Sequence, residues 1–226
     1  THTTYFTDAK GYLILPNNLK IGNYRIEEVT APDGYTLNTN YVEISVDANT
    51  AYLQDSVSGD TIIEVVYENH PVKGQLNVYK KGEMVTRYDG ENFIYEEQFL
   101  AGAVFEVYAA ENIYTADFQK DGDGNRLLEY AEGALVTTIT TDASGLATAS
   151  DLPLGKYLVK EKNAPEGFVL NAASQEVNFE YADQNTAVIT QSVTFTNDRQ
   201  KVSITVEKQD AENEATVAGA EFALYN

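Results

Sequence analysis

The sequence predicts an all-β protein of tandem β-sandwich modules, and three observations carry that prediction. Short runs alternate apolar and polar residues, turn signals separate them at close spacing, and one long pattern occurs twice. The copies are Gly22–Tyr35 (GNYRIEEVTAPDGY) and Gly155–Phe168 (GKYLVKEKNAPEGF), both reading G-x-Y-x-x-x-E-x-x-A-P-x-G-aromatic. Glu28 and Glu161 lie 161 − 28 = 133 residues apart. Asn69 and Asn197 lie 197 − 69 = 128 apart, as do Lys80 and Lys208, 208 − 80 = 128. Such a period is too long for a solenoid and indicates whole domains in tandem. The landmarks run Glu28, Asn69, Lys80, Glu161, Asn197, Lys208, and only Lys80–Asn197 holds a full set. The expected division is therefore residues 1–70 as the C-terminal part of one module, 71–199 as a complete module, and 200–226 as the N-terminal strands of a third. The chain reads as a piece of a longer array.

Taken in order, the strand runs of the middle module are Leu76–Lys80, Ala103–Tyr108, Ala134–Ile139, Lys156–Glu161, Gln175–Phe179 and Val188–Phe195. Between them lie the turn signals Asp121-Gly-Asp-Gly-Asn125, Asp142-Ala-Ser-Gly145, Leu154-Gly155 and Pro165-Glu-Gly167. Tyr88–Leu100 (YDGENFIYEEQFL) reads either as a loop or as a short helix.

Composition narrows the function classes. A net charge of −20 argues against nucleic-acid binding, which needs an excess of Lys and Arg, and reads first as a solvated surface. The absence of cysteine removes disulfides and thiolate metal sites. No apolar run reaches membrane-spanning length and no signal peptide opens the sequence, so membrane insertion is not expected.

Residues two apart in a strand share a face. Leu76, Val78 and Lys80 share one; so do Tyr157, Val159 and Glu161, and Val193, Phe195 and Asn197. Each apolar stripe ends in one polar residue of a different type. The same parity recurs in Tyr24-Ile26-Glu28, Val65-Tyr67-Asn69 and Ile204-Val206-Lys208. Polar groups facing a core are costly unless they meet. The alternative places each at a strand end in water; six stripes in consistent order favour the meeting. Lys81, the competitor of Lys80, faces the opposite way.

These residues resemble the Cna protein B-type domain, also called the SpaA-like prealbumin-fold domain, of Gram-positive pilins and surface adhesins. Its E-box, Y-x-x-x-E-x-x-A-P-x-G-Y, is similar to Tyr24–Tyr35 and, with Phe168 in the last position, to Tyr157–Phe168. Its first-strand Lys corresponds to Lys80 and Lys208, and its last-strand Asn to Asn69 and Asn197. Ala101–Tyr108 resembles its second strand and recurs at Ala218–Tyr225. The resemblance implies a transthyretin/prealbumin-like (reverse Ig-like) sandwich and a self-formed isopeptide bond. It assigns Lys80 as nucleophile, Glu161 as acid/base and Asn197 as electrophile, with Glu28, Asn69 and Lys208 in the incomplete modules. The chemistry suits these residue types. Burial makes a neutral Lys amine accessible, and a Glu beside it can polarise the Asn carboxamide and relay protons as ammonia leaves. The reaction occurs once per molecule, so no turnover enzyme is implied and no cofactor is needed.

Residues 1–70 hold Glu28 and Asn69 without a Lys strand, and 201–226 hold Lys208 without a counterpart of the E-box Glu or the last-strand Asn. They can associate head to tail between chains, or stand as loosely packed ends. Asp121-Gly-Asp123-Gly-Asn125 with Glu132 mimics a calcium loop, but Arg126 stands where that loop needs Gly, and a polar hairpin turn is the better reading. His2 and His70 lack ligand spacing, so no metal site is expected. The leading function is a stalk or shaft module of an extracellular, cell-wall-attached adhesin or pilin, whose partners are the neighbouring modules of its own chain. The alternative is an adhesin module gripping a host protein or glycan through loops such as Tyr88–Leu100 or Tyr114–Tyr130. A conventional enzyme finds no constellation.

Overall fold

Residues 73–197 fold into two facing β-sheets, because nearly every alternating run presents one apolar face for the other sheet to cover. The computed structural model describes residues 3–16, 19–47, 53–54, 61–116 and 119–224. In chain order the strands are β1 (Gly22–Glu27), β2 (Tyr41–Val46), β3 (Leu53–Gln54), β4 (Thr61–Ile62), β5 (Lys73–Tyr88), β6 (Phe93–Phe99) and β7 (Val104–Ala109). They continue with β8 (Ile113–Tyr114), β9 (Leu128–Tyr130), β10 (Leu135–Thr140), β11 (Leu146–Leu152), β12 (Gly155–Asn163), β13 (Ser174–Phe179) and β14 (Val188–Asn197). No helix occurs among the described residues.

One sheet has the order β10-β7-β12-β13; the other has β11-β5-β14, with β6 also paired to β5. The first strand of this sandwich, β5, and its last, β14, lie side by side and parallel, with Lys80 opposite Phe195. Leu76, Val78, Ala147, Ala149 and Phe195 from one sheet pack on Phe105, Val107, Tyr157, Val159 and Phe179 from the other. The Phe105 and Phe195 rings meet at 4.9 Å across the two sheets, and the Tyr157 and Phe179 rings at 5.7 Å between neighbouring strands of one sheet.

Upstream, β1 and β2 repeat the β12–β13 pairing residue for residue. Gly22 faces Val46 and Tyr24 faces Ile44, as Gly155 faces Phe179 and Tyr157 faces Val177. Both tyrosines donate their hydroxyls to a carbonyl four residues back, Lys20 O at 2.8 Å and Pro153 O at 2.7 Å. The upstream segment rests on the sandwich through Ala31 N–H to Gln184 Oε1 (2.9 Å), Leu37 N–H to Gln184 O (2.8 Å) and Tyr181 Oη–H to Tyr35 O (3.3 Å).

Three sequence expectations are corrected. Tyr88–Leu100 is neither loop nor helix. The β5 strand runs on to Tyr88, and β6 returns along it as a hairpin projecting past the core. The Asp89–Asn92 turn sets that register, with Asp89 Oδ1 accepting the N–H groups of Glu91 and Asn92 and Gly90 at φ +106°. Residues 65–69 alternate half-buried and exposed side chains but form no strand, because among the described residues no strand pairs with their backbone. Residues 201–208 are exposed throughout and belong to no strand, so Lys208 faces no core, and its amine donates to the backbone carbonyl of Gln209. An alternating pattern specifies a face, but a strand exists only with a partner. The Asp121–Asn125 segment is a tight turn: Asp121 Oδ1 accepts from Asp123 N–H and Asn125 N–H, and Lys120 bridges Arg126.

Candidate functional site

Lys80, Glu161 and Asn197 stand on three different strands and meet inside the sandwich. Their residues are 0%, 6% and 2% exposed, which makes them the buried polar cluster under one end of the core. Strand parity explains the meeting. Lys80 continues the Leu76–Val78 face of β5, Glu161 the Tyr157–Val159 face of β12, and Asn197 the Phe195 face of β14. Lys81, one residue on, points away and pairs with Glu97 Oε2 at 3.3 Å on the surface.

Lys80 Nζ donates to Asn197 Oδ1 and to Glu161 Oε1, the latter at 2.9 Å. Asn197 Nδ2 donates to the same Glu161 oxygen at 2.9 Å. The amine therefore stands at the carboxamide, while the nitrogen that would leave already points at a carboxylate. Phe105 and Phe195 wall the cluster, with Lys80 Nζ 5.9 Å from the Phe105 ring centroid. Burial among these apolar groups pulls the Lys80 pKa below the usual lysine range, opposed by the hydrogen bond and the charge of Glu161. A buried ammonium–carboxylate pair is expensive, and condensation to an amide would remove that charge separation.

The backbone around the three residues is closely held. Lys80 N–H donates to Gly145 O at 2.8 Å and Lys80 O accepts from Leu100 N–H at 2.9 Å. Gly145 sits at φ +72°, and a Cβ there would come within 2.9 Å of Lys80 O, so only glycine fits this approach. Asn171, which sequence reasoning missed, fixes the other side of the carboxylate. After β12 the chain reverses at Pro165-Glu-Gly167, with Phe168 N–H bonded to Pro165 O. It then returns so that Asn171 N–H donates to Glu161 Oε2 at 2.8 Å and Asn171 Nδ2 to Thr196 O at 3.0 Å. The repeated E-box turn thus positions the Glu. The signal was present, since Asn38 and Asn171 each follow their Glu by ten residues in matching Leu-Asn pairs.

The upstream segment also brings Glu28 and Asn69 together, half-buried and with both donors on one carboxylate oxygen. Asn69 Nδ2 donates to Glu28 Oε2 at 2.6 Å and Asn38 N–H to the same oxygen at 2.7 Å. Among the described residues no lysine amine pairs with Glu28. Lys208 is the one sequence-predicted site residue that meets no other.

The chain matches the SpaA prealbumin-like fold domain over residues 1–60 and 94–196. Glu28 and Glu161 lie in the matched segments; Asn197 follows the second directly, and Lys80 lies between the two. Over 219 residues it is 26% identical to the trypsin-resistant surface T6 protein of Streptococcus pyogenes, covering 84% of this chain and 36% of that protein. The Bacillus anthracis TIE protein is 28% identical, with a TM-score of 0.50, over 85% of this chain and 28% of that structure. The minor pilin GBS52 of Streptococcus agalactiae is more distant, at 22% identity and a TM-score of 0.37 over 80% of this chain and 66% of that one. The chain thus spans about a third of the surface protein it matches. With its all-β sandwich and with the greater part of its length matched, this chain belongs to the family of SpaA prealbumin-like fold domains.

Proposed function

We propose that this chain is a load-bearing stalk or shaft segment of a cell-wall-attached surface protein, locked by an amide that forms spontaneously between Lys80 and Asn197. The observation that supports it most is the closed triangle of Lys80 Nζ, Glu161 Oε1 and Asn197, buried in the core. Residues 71–199 are the complete module; 1–70 and 200–226 belong to its neighbours in an array. The neutral Lys80 amine attacks Asn197 Cγ, a C–N bond forms, and the Cγ–Nδ2 bond breaks. Glu161 carries a proton from the attacking nitrogen to Nδ2, and ammonia leaves. The strands hold the reactants in contact, which supplies the orientation that a free amine and amide lack. Kinship with a streptococcal surface protein supports a surface location.

Intact mass under denaturing conditions tests this. The wild-type chain is expected to weigh one ammonia less than its sequence, and Glu161→Gln the full sequence mass. The second result is informative because Glu161 raises the Lys80 pKa through its hydrogen bond and its charge. Removing its charge frees the amine more easily, so a lost bond assigns Glu161 a proton-handling role. A wild type at full mass overturns the proposal.

The projecting hairpin favours a second reading, contact with a host protein or glycan. Its Met84, Val85, Tyr88 and Phe93 are all exposed, the last two with rings 5.2 Å apart. Replacing residues 84–97 by a short turn is expected to leave the ammonia loss intact and to abolish binding on an array of matrix proteins and glycans. Unchanged array binding would leave the hairpin without that role.

A further inference from the structure

The reversal in each E-box also grips the segment that follows the last-strand Asn. In the upstream copy Thr36 N–H donates to His70 O at 2.9 Å and Val72 N–H to Gly34 O at 2.8 Å. In the second copy Val169 N–H donates to Asp198 O at 2.9 Å and Gln200 N–H to Gly167 O at 2.8 Å. The Tyr35–Pro71 and Phe168–Arg199 bridges complete the two matching ladders. Gly34 and Gly167 make the reversal at φ +86° and +83°, where glycine carries no steric cost. The segments 70–72 and 198–200 are thus each clamped by the turn of their own module.

Residues 70–72 are also the link into the sandwich. Beyond them Lys73 N–H donates to Ala187 O at 3.0 Å, so backbone pairing continues straight across the link. Small polar junctions between domains ordinarily swivel. Here the pairing takes the place of a large apolar interface. Val72 and Ala31 are buried at the junction, 1% and 6% exposed, although neither belongs to the sandwich core.

The loop between β13 and β14 meets the same turn from the sandwich side. Gln184 accepts twice, through Oε1 from Ala31 N–H at 2.9 Å and through its backbone carbonyl from Leu37 N–H at 2.8 Å. Tyr181 Oη–H donates to Tyr35 O at 3.3 Å. The loop that presents Gln184 is itself closed, because Asp183 Oδ1 accepts Asn185 N–H at 2.7 Å and the Thr186 hydroxyl at 3.1 Å.

We propose that the E-box reversal, residues 31–37, is a docking surface for the next module in line, and that residues 181–187 of that module are its partner, with Gln184 recognising the turn. The E-box then has two tasks. Its strand supplies the Glu, and its Ala-Pro-x-Gly-aromatic reversal fixes the direction in which the chain leaves the module. Successive modules are held at one angle, and the array is a stiff rod. The inference deepens the stalk reading and does not rest on the Lys80–Asn197 amide.

The chain has no cysteine, so Glu43→Cys on β2 and Thr138→Cys on β10 place one exposed spin label on each side of the joint. Pulsed electron paramagnetic resonance on the full labelled chain is expected to give a single narrow distance distribution. Adding Gln184→Ala with Tyr181→Phe, both outside the sandwich core, is expected to broaden it severalfold. Gln184→Ala alone should broaden it in part, which keeps the comparison usable if the pair weakens the sandwich by circular dichroism. Gln191→Ala, at an exposed position of β14, should leave it narrow. A broad distribution without the joint substitutions overturns the inference, and so does a narrow one that they leave unchanged. Intact mass on the same samples reads the amide separately. A narrow distribution at full sequence mass overturns the amide reading alone, and a broad one with the ammonia lost overturns the rigid joint alone.

Discussion

Pulled from its two ends, the wild-type chain is expected to extend roughly 40 nm less than Asn197→Ala. Force entering the sandwich at Lys73 runs up β5 to Lys80, and it leaves through Asn197 at the end of β14. A covalent Lys80–Asn197 link short-circuits the chain between them, 117 positions in sequence. At about 3.3–3.6 Å per extended residue, that enclosed segment accounts for the roughly 40 nm. The parallel arrangement of the first and last strands makes this possible, because the two ends of the load path run side by side. Single-molecule stretching measures it directly. Equal contour lengths would show that no bond carries the load, whatever the folded geometry.

The second large effect is on thermal stability. Closing a loop of this size removes conformational freedom from the unfolded chain, and by analogy with a disulfide that is worth about 4–5 kcal/mol. Asn197→Ala is therefore expected to melt roughly 10–20 °C below wild type by circular dichroism. Its pH dependence should also differ. Without Asn197, Lys80 remains a buried amine, held below the ordinary lysine range chiefly by burial. A folded-state value below the unfolded one means that the unfolded chain binds more protons between the two. Stability therefore rises with pH across that interval and levels off above the ordinary lysine value. The wild-type amide has no amine to titrate, and it should lack this rise. Identical pH slopes would mean that Lys80 is still free in wild type.

Much of this was readable in advance because β periodicity is local. Once Leu76 and Val78 are known to face the core, Lys80 must face it too, and Lys81 cannot. The same reasoning oriented Glu161 from Tyr157 and Val159, and Asn197 from Phe195. The repeated E-box marked where a turn follows the Glu. It did not announce Asn171, whose backbone N–H does the holding and whose side chain gives no hydrophobic pattern. The hairpin of β5 and β6 was ambiguous because its residues switch face at a bulge between Val85 and Arg87, which blurs the alternation.

The sequence by itself determined the all-β class, the repeat, and the face of each strand on which Lys80, Glu161 and Asn197 lie, because side-chain direction along an extended chain depends only on parity. Only the tertiary structure decided which faces come together. It set β5 beside β14, placed β12 across from both, and left residues 63–69 and 201–208 outside every strand pairing among the described residues. Pairing is a property of two segments distant in sequence, and no local pattern encodes it. That is why Lys208, with the same pattern as Lys80, stands in solvent.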